Sequence, residues 1–306
     1  MPLRRLVAKV VPKAGRLETM RRFDAVALVL IVMLGAACRQ APPARQYELT
    51  GQILEVRTDR NEVVIKHGDI KGFMPGMTMP FKVRPSSLLE GRTSGELVTA
   101  TLVVEEVDAY LSTLARTGEA PLPEDPPPVE EPKTLTPGDA VPDAALVDQD
   151  SAPTFISSLK GRPYAVTFIY TRCPIPDFCP LMDRHFKAVQ EAIKTTPAIA
   201  RVRLVSVTLD PAYDTPAILK PYATRLGADP SVWTFLTGEP KAVAAFGEQF
   251  GLYVEHDKST EINVIHNLRT AVVDATGRVV TLHNGNTWTP SDLIADLTKA
   301  AATPAN

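Results

Sequence analysis

The residues best suited to chemistry are Cys173 and Cys179, which lie in the segment FIYTRCPIPDFCPLM with five residues between them. Pro180 favours a helix that begins here, because a proline at the first helical position loses no hydrogen bond. The free amides and positive dipole end of such a helix stabilise a thiolate, so we expect a lowered pKa for the Cys179 thiol. Two soft sulfur donors are suited to disulfide exchange or to a soft metal such as Cu(I). A structural disulfide is a third interpretation.

A second chemical cluster is the segment HGDIKGFMPGMTM, residues 67–79, which contains Met74, Met77 and Met79. Met77 and Met79 are two positions apart, so on a strand both point to the same face. His67 ends the preceding strand pattern and can face them across the pair. Two thioethers and an imidazole favour Cu(I) or Ag(I) over hard cations. The alternative is that these methionines only fill one end of a small barrel.

The elements around these clusters predict two domains, in keeping with a length of 306 residues. Residues 47–112 alternate as short strands, which indicates a small all-β, OB-like barrel. Residues 119–134 hold six prolines and five acidic residues, which predicts an extended linker. From 135 to 302, strand patterns alternate with helical ones and end in a hairpin and a helix, which indicates an α/β thioredoxin-like domain. The formal net charge of −2 gives no electrostatic reason to expect a nucleic-acid partner.

In the α/β domain the cysteine pair falls at the first predicted strand-to-helix junction. Helices are predicted for 180–194, 215–226, 241–250 and 290–301, and Asp-Ala-Thr-Gly predicts a hairpin turn. The segment SVTLDPAYDTP predicts a strand end followed by a helix, with Asp214 or Thr215 as its N-cap.

The third cysteine, Cys38, belongs to a different segment. Arg21 and Arg22 precede a 13-residue apolar run, 25–37, which ends in LGAAC. The run is too short to span a bilayer and is typical of a signal peptide. It resembles a bacterial lipoprotein signal, which implies that residues 1–38 are a targeting segment, that Cys38 is lipidated and that the protein is exported; plain cleavage and an uncleaved anchor are the alternatives. Met20 is an alternative start.

The remaining question is which residue completes the cysteine site. His185 is expected on the surface of its helix, and His256 and His283 lie near polar turns where solvent-exposed histidines are common. His266 stands just before an apolar strand, where a loop can approach the cysteine end of the sheet. Spacing alone does not decide between these residues.

Family resemblance adds to this interpretation. The segments FIYTRCP...CP, SVTLDPAYDTP and IHN...AVVDATG, in this order, resemble the Sco/SenC copper chaperones. The resemblance implies a thioredoxin-like fold, copper ligands Cys173, Cys179 and His266, and delivery of copper to a cytochrome c oxidase subunit or another periplasmic copper protein. This chain departs from the family in having five residues rather than three between its cysteines.

The segment GFMPGMTMPF is similar to the periplasmic CusF-like copper-binding domain. This second resemblance implies His67, Met77 and Met79 as Cu(I) ligands in the barrel. The capping tryptophan of that family falls at Met74, which therefore becomes a candidate additional sulfur ligand.

Two enzymatic alternatives compete with a metallochaperone. In a thiol-disulfide oxidoreductase, Cys173 and Cys179 would be catalytic, but that fold normally carries a proline facing the cysteines, and none occurs between Pro240 and Pro290. A peroxiredoxin-like peroxidase is less favoured, because Thr171 is followed by Arg172 without the expected proline. We therefore expect a membrane-tethered, exported copper protein in which the barrel hands Cu(I) to the cysteine site.

Overall fold

The computed structural model describes residues 43–123, 134–256 and 264–304. The predicted signal segment 1–38 with Cys38, the alternative start at Met20, and most of the predicted linker lie outside the described residues. The barrel and the α/β domain belong to one compact unit, Pro43–Asn306. No helix in the described part of the chain is long and apolar enough to span a membrane.

The N-terminal domain is a closed barrel of five strands in the order β1-β2-β3-β5-β4. Alternation along each strand turns every second side chain inward, and Val63 and Ile65 are fully buried in this way. The predicted small all-β barrel is confirmed. Its strands are β1 (Arg45–Arg57), β2 (Glu62–His67), β3 (Met77–Val83), β4 (Glu96–Val104) and β5 (Ala109–Glu119).

The second domain is built on a mixed seven-stranded sheet. It contains β6 (Ala145–Asp148), β7 (Pro153–Phe155), β8 (Tyr164–Ile169), β9 (Arg203–Thr208), β10 (Trp233–Thr237), β13 (Arg269–Val273) and β14 (Val279–Asn284). The order is β14-β13-β8-β9-β10-β6-β7, with parallel pairing of β8, β9 and β10. A separate pair is formed by β11 (Val254–His256) and β12 (Val264–His266).

Four helices complete this domain: α1 (Cys179–Thr195), α2 (Pro216–Leu226), α3 (Pro240–Gln249) and α4 (Pro290–Ala301). Helix α1 packs against α4, and α2 packs against β10. This arrangement confirms the predicted thioredoxin-like α/β fold.

Strand β8 places the cysteine segment. Every residue of β8 is buried, so its position in the core is fixed on both faces. Because β8 and β9 are parallel and Ile169 pairs with Thr208, both strands end at the same edge of the sheet. The cysteine loop and the segment after β9 therefore meet there.

Candidate functional site

Cys173 and Cys179 flank a loop that joins β8 to α1. Cys179 is the first residue of the helix, and Pro180 occupies the first turn, where its missing amide hydrogen costs nothing. Both thiols are free; Cys179 is buried and Cys173 is half-buried. The loop therefore carries two sulfur donors that are not joined in a disulfide.

The two thiols differ in acidity, and in the opposite sense to the expectation from sequence. Burial raises the pKa of Cys179 well above its usual range, and the neighbouring Cys173 raises it further. Burial also acts against ionisation of Cys173, but hydrogen bonds from the Cys179 thiol and the backbone near Ile175 outweigh it and lower the pKa of Cys173. The expected lowering at Cys179 is wrong, because burial disfavours the ionised form of its thiol and the neighbouring Cys173 adds to that effect. The pair therefore loses its first proton at Cys173.

His266 lies at the end of β12 and faces the cysteine loop. Its Nε2 is 3.9 Å from the Sγ of Cys179. Its Nδ1 is 2.8 Å from the carbonyl oxygen of Asn267, a contact that requires the proton on Nδ1 and leaves the Nε2 lone pair free. Burial lowers the pKa of His266 to about 4. The imidazole is thus neutral at physiological pH and presents a donor atom to the thiols.

Backbone contacts of the next residue hold this histidine in place. The Asn267 side chain accepts from the amide of Tyr253 at 2.9 Å and donates to the carbonyl of Gly251 at 2.8 Å. The ring of Tyr170 packs edge-on against His266 with centroids 5.6 Å apart. Outer contacts of this kind orient a metal-binding imidazole.

Two thiols and an imidazole form a soft donor set suited to copper. Within the described residues, no group of three or more His, Cys, Asp or Glu side chains is already closed tightly enough to hold a metal ion. The Cys179–His266 separation of 3.9 Å is close to the roughly 3.7 Å expected when a sulfur and a nitrogen at typical bond lengths share one ion. A small side-chain adjustment is sufficient to close this pair around a metal.

The barrel brings its three predicted residues together as well. His67 is directly opposite Met77 in the β2–β3 register, and Met79 is two positions further along β3. Nδ1 of His67 is 2.7 Å from the carbonyl oxygen of Gly68, and its Nε2 is buried without a hydrogen-bond partner. Burial lowers the pKa of this imidazole. A buried, neutral ring nitrogen with an unused lone pair beside thioethers fits a soft cation.

A buried aspartate, Asp214, fixes the start of the cysteine loop. Asp214 is fully buried and accepts hydrogen bonds from the amide and hydroxyl of Thr171 and from the hydroxyl of Thr208, the last at 2.6 Å. The N-cap of α2 is Thr215, one of the two residues expected there, and it makes no side-chain capping bond. Asp214 is instead a brace that ties the segment after β9 to the turn after β8. No local sequence pattern indicated this role, because Thr171 lies 43 positions before Asp214 in the chain.

The ion pair next to this brace also involves the loop. Arg172 bonds Asp210 at 2.6 Å, and its guanidinium stacks on the ring of Tyr213 at 3.8 Å. These contacts fix the residue just before Cys173.

Two other histidines are less exposed than expected. His185 is half-buried and its ring packs against Trp288 with centroids 4.8 Å apart, because that tryptophan covers the helix face assigned to solvent. His283 is in β14, and its Nε2 lies 2.9 Å from a carboxylate oxygen of Asp296. Neither belongs to the thiol site described above.

Comparison with known proteins finds a family model for each of the two domains. The SCO1/SenC family model matches residues 133–302. The chain belongs to the SCO1/SenC family. A second family model, copper binding periplasmic protein CusF, matches residues 46–115 and thus the barrel. Both families bind copper, and copper is the metal of this chain.

Individual relatives match the second domain. A SCO1 protein homolog of Bacillus subtilis is 31% identical over 157 residues, which is 51% of this chain and 79% of that protein. The structure of Bradyrhizobium japonicum ScoI with copper bound is 28% identical and covers 53% of this chain and 99% of that chain, with a TM-score of 0.45. A SCO1/SenC family lipoprotein from Bacillus anthracis is 27% identical, with coverage of 53% and 95% and a TM-score of 0.48.

Proposed function

We propose that this SCO1/SenC protein is an exported metallochaperone that holds Cu(I) or Cu(II) on Cys173, Cys179 and His266 and delivers it to a cytochrome c oxidase subunit or another periplasmic copper protein. The observation that carries the proposal is the free Nε2 of His266, 3.9 Å from the Cys179 sulfur. A neutral imidazole and a pair of unbridged thiols match what a copper ion requires of its donors.

In this function, the two cysteines and the histidine have different roles in binding copper. Cys173 supplies the first thiolate, and Cys179 becomes the second when its proton leaves to solvent. The bond from His266 to the Asn267 carbonyl keeps the imidazole in the tautomer that binds metal. The chemistry that copper itself contributes is its preference for soft sulfur and nitrogen donors.

The barrel contributes a weaker store of Cu(I) on His67, Met77 and Met79. Neutral thioethers bind Cu(I) without the electrostatic attraction that thiolates add, so copper is expected to pass from the barrel to the cysteine pair. Both sites are in one chain, which raises the effective concentration of each near the other. Lipidation at Cys38 would hold this two-site carrier at the periplasmic face of the membrane, as the LGAAC segment implies.

The alternative function is thiol-disulfide exchange with the cysteines of a copper-site protein. The observation that favours it is the lowered pKa of the half-buried Cys173 thiol, since the thiolate is the nucleophile in exchange. The sequence has no proline between Pro240 and Pro290 to form the usual substrate-docking feature. We therefore rank this activity second.

A copper titration of the full chain tests the ligand assignment. We expect His266→Ala to weaken binding at the thiol site at least about tenfold, which is roughly 1.4 kcal/mol. The matched control is His283→Ala, which removes a histidine paired with Asp296 outside the site. Equal copper affinity in the His266 variant and the wild type would contradict the assignment. Rapid reduction of insulin by the metal-free chain would favour the alternative.

The direction of transfer is testable with methyl-labelled methionine in the full chain. At one equivalent of Cu(I), we expect the methyl NMR signals of Met77 and Met79 to stay unshifted in the wild type and to shift in Cys173→Ser/Cys179→Ser. Shifted methionine signals in the wild type, with both thiols still free to react, would place copper on the barrel at equilibrium and exclude the handover.

A further inference from the structure

The loop between the two cysteines packs onto the metal-binding end of the barrel. Ile175, at the second position after Cys173, is only 7% exposed and belongs to the same buried cluster as Phe73, Met74 and Met79 of the barrel. Phe178, from the same loop, packs against this cluster. Ile175 therefore sits in the barrel core although it belongs to the other domain.

Charged side chains next to the apolar cluster also hold the cysteine loop against the barrel. Lys82 of β3 bonds Asp177 of the loop at 2.9 Å and Asp108 of the barrel at 2.9 Å. The side chain of Arg184 on α1 bonds the loop carbonyl of Pro176 at 3.0 Å and lies 3.5 Å from the carbonyl of Val107 in the barrel. The loop is thus held from both domains.

The docked loop leaves a small, partly open space between the barrel and the thiol site. A cavity of about 20 Å³ is lined by Met74 and Met77 from the barrel and by Tyr170, Ile175 and His266 from the second domain. This exceeds the roughly 10–15 Å³ that one water-sized species needs. The walls are mostly apolar, and their donors are thioether sulfurs and an imidazole.

We infer that Met74, Met77 and His266 form a transient Cu(I) site that bridges the two domains, and that the five-residue cysteine loop exists to assemble it. The inference rests on the proposed function and adds an intermediate to it. The thioethers and the neutral imidazole are soft donors, and they meet at one cavity that only the docked arrangement creates. Met74 thereby acquires a role as a relay ligand, outside the barrel set of His67, Met77 and Met79.

The transfer is a ligand exchange in which copper stays Cu(I) and no electron moves. Met77 keeps its bond to copper while the bonds to His67 and Met79 break and those to Met74 and His266 form. The imidazole then carries the ion toward the thiols, whose sulfurs replace the two thioethers.

The last exchange releases a proton. The Cys173 thiolate binds first, and Cys179 binds as its thiol proton leaves to solvent. His266 stays bound throughout this step, so copper is never free in water.

A chain without its other copper ligands tests the bridging site. In the full chain with Cys173→Ser, Cys179→Ser and His67→Leu, we expect one Cu(I) to bind, as measured by competition with a Cu(I) chelator. Adding Met74→Leu should weaken this binding more than tenfold. The same exchange at Met182, a buried residue of α1, is the control and should have no effect. Failure of the background chain to bind Cu(I), or equal effects of the two leucine substitutions, would overturn the inference.

A kinetic measurement keeps the test valid if His67→Leu prevents folding. After mixing one equivalent of Cu(I) with the chain that retains both cysteines, the ultraviolet absorption of the thiolate–Cu(I) bond reports arrival at the final site. We expect Met74→Leu to slow its appearance at least fivefold relative to Met182→Leu, and equal rates would overturn the relay.

The two proposals fail separately. The equilibrium test is made without Cys173 and Cys179, so its outcome is independent of whether the thiols bind copper. If the wild type bound copper but Cys173 and Cys179 were not among the ligands, the proposed function would be overturned. The bridging site would remain supported.

Discussion

The barrel site and the thiol site orient a histidine in the same way but place different sulfur groups beside it. In each, a buried and neutral histidine points its Nδ1 at a nearby backbone carbonyl, Gly68 for His67 and Asn267 for His266. This contact fixes the tautomer of His67 on a barrel strand and that of His266 at the end of a short strand pair. What differs is the sulfur, which is a thioether in the barrel and a thiol in the second domain.

That difference decides what each site responds to. A thioether carries no proton, so under the proposed function the affinity of the barrel for Cu(I) would not depend on deprotonation of sulfur. A thiol must lose its proton to bind metal, so the second site would respond to pH and to oxidation.

The largest expected effect separates the two sulfur types. We expect Cys173→Ser/Cys179→Ser to weaken the tightest copper binding of the full chain about a thousandfold, roughly 4 kcal/mol, and to leave the barrel site filled. Met77→Ala should instead remove the weaker site and leave the tight one. Chelator competition without oxygen measures both. If both variants lost the same copper site, either the tight or the weak one, the assignment of one site to each domain would be wrong.

The second effect concerns the contact between the regions. Ile175→Ala removes a side chain buried in the barrel cluster, and we expect it to weaken docking by about 2–4 kcal/mol, as for other buried Ile→Ala changes. Small-angle X-ray scattering should show a larger radius of gyration, and calorimetry should show two unfolding transitions. The matched control is Phe155→Ala, at an exposed position. Unchanged scattering in the Ile175 variant would mean that the loop does not hold the domains together.

The third effect is a difference in pH dependence. Because the pKa of Cys179 is raised, its proton is still bound at neutral pH and must leave when copper binds. The copper affinity of the thiol site should therefore rise with pH, about tenfold per pH unit for each proton displaced. The pKa values of His67 and His266 are lowered by burial, so neither imidazole has a proton to lose above pH 6.5.

Titrations at several pH values check this difference. In Cys173→Ser/Cys179→Ser, which retains the barrel donors, copper affinity should be flat between pH 6.5 and 8, roughly the range above the ordinary histidine pKa. A flat profile in the wild type as well would show that copper displaces no thiol proton.

The smallest effect tests the charged part of the contact. Burial alone would lower the pKa of Lys82, but hydrogen bonds with Asp177 and Asp108 outweigh it and raise that pKa. Lys82 is 41% exposed, so water and salt weaken the pair, and we expect Asp177→Asn to cost only about 0.5–1 kcal/mol of docking. High salt should reproduce the loss in the wild type. Asp150→Asn, which removes an exposed pair with Lys220, is the control. A cost as large as that of Ile175→Ala would show that charge rather than apolar burial holds the interface.

The sequence predicted the parts of each site that depend on local pattern. The two-residue spacing of Met77 and Met79 fixed their common face, and Pro180 marked the helix start at Cys179. Both follow from backbone geometry over a few residues. The architecture followed in the same way from strand alternation in the barrel and strand–helix alternation after it.

What the sequence did not predict arises between segments distant in the chain. The brace at Asp214 depends on Thr171, which lies in the turn after β8 and 43 positions away in the chain. The burial of Ile175 depends on a barrel almost a hundred positions earlier, as the Lys82–Asp177 contact at a separation of 95 residues illustrates. A Pro-rich loop gives no local signal that it is an interface.

The position of Ile175 between the cysteines has a thermodynamic consequence. A disulfide between Cys173 and Cys179 would close a ring that contains the docking residue, so the loop cannot keep the same freedom in both oxidation states. Any difference in docking free energy between the thiol and disulfide forms must then appear, with equal size, in the reduction potential of the pair. A difference of 1.4 kcal/mol in docking would correspond to a change of about 30 mV in that potential.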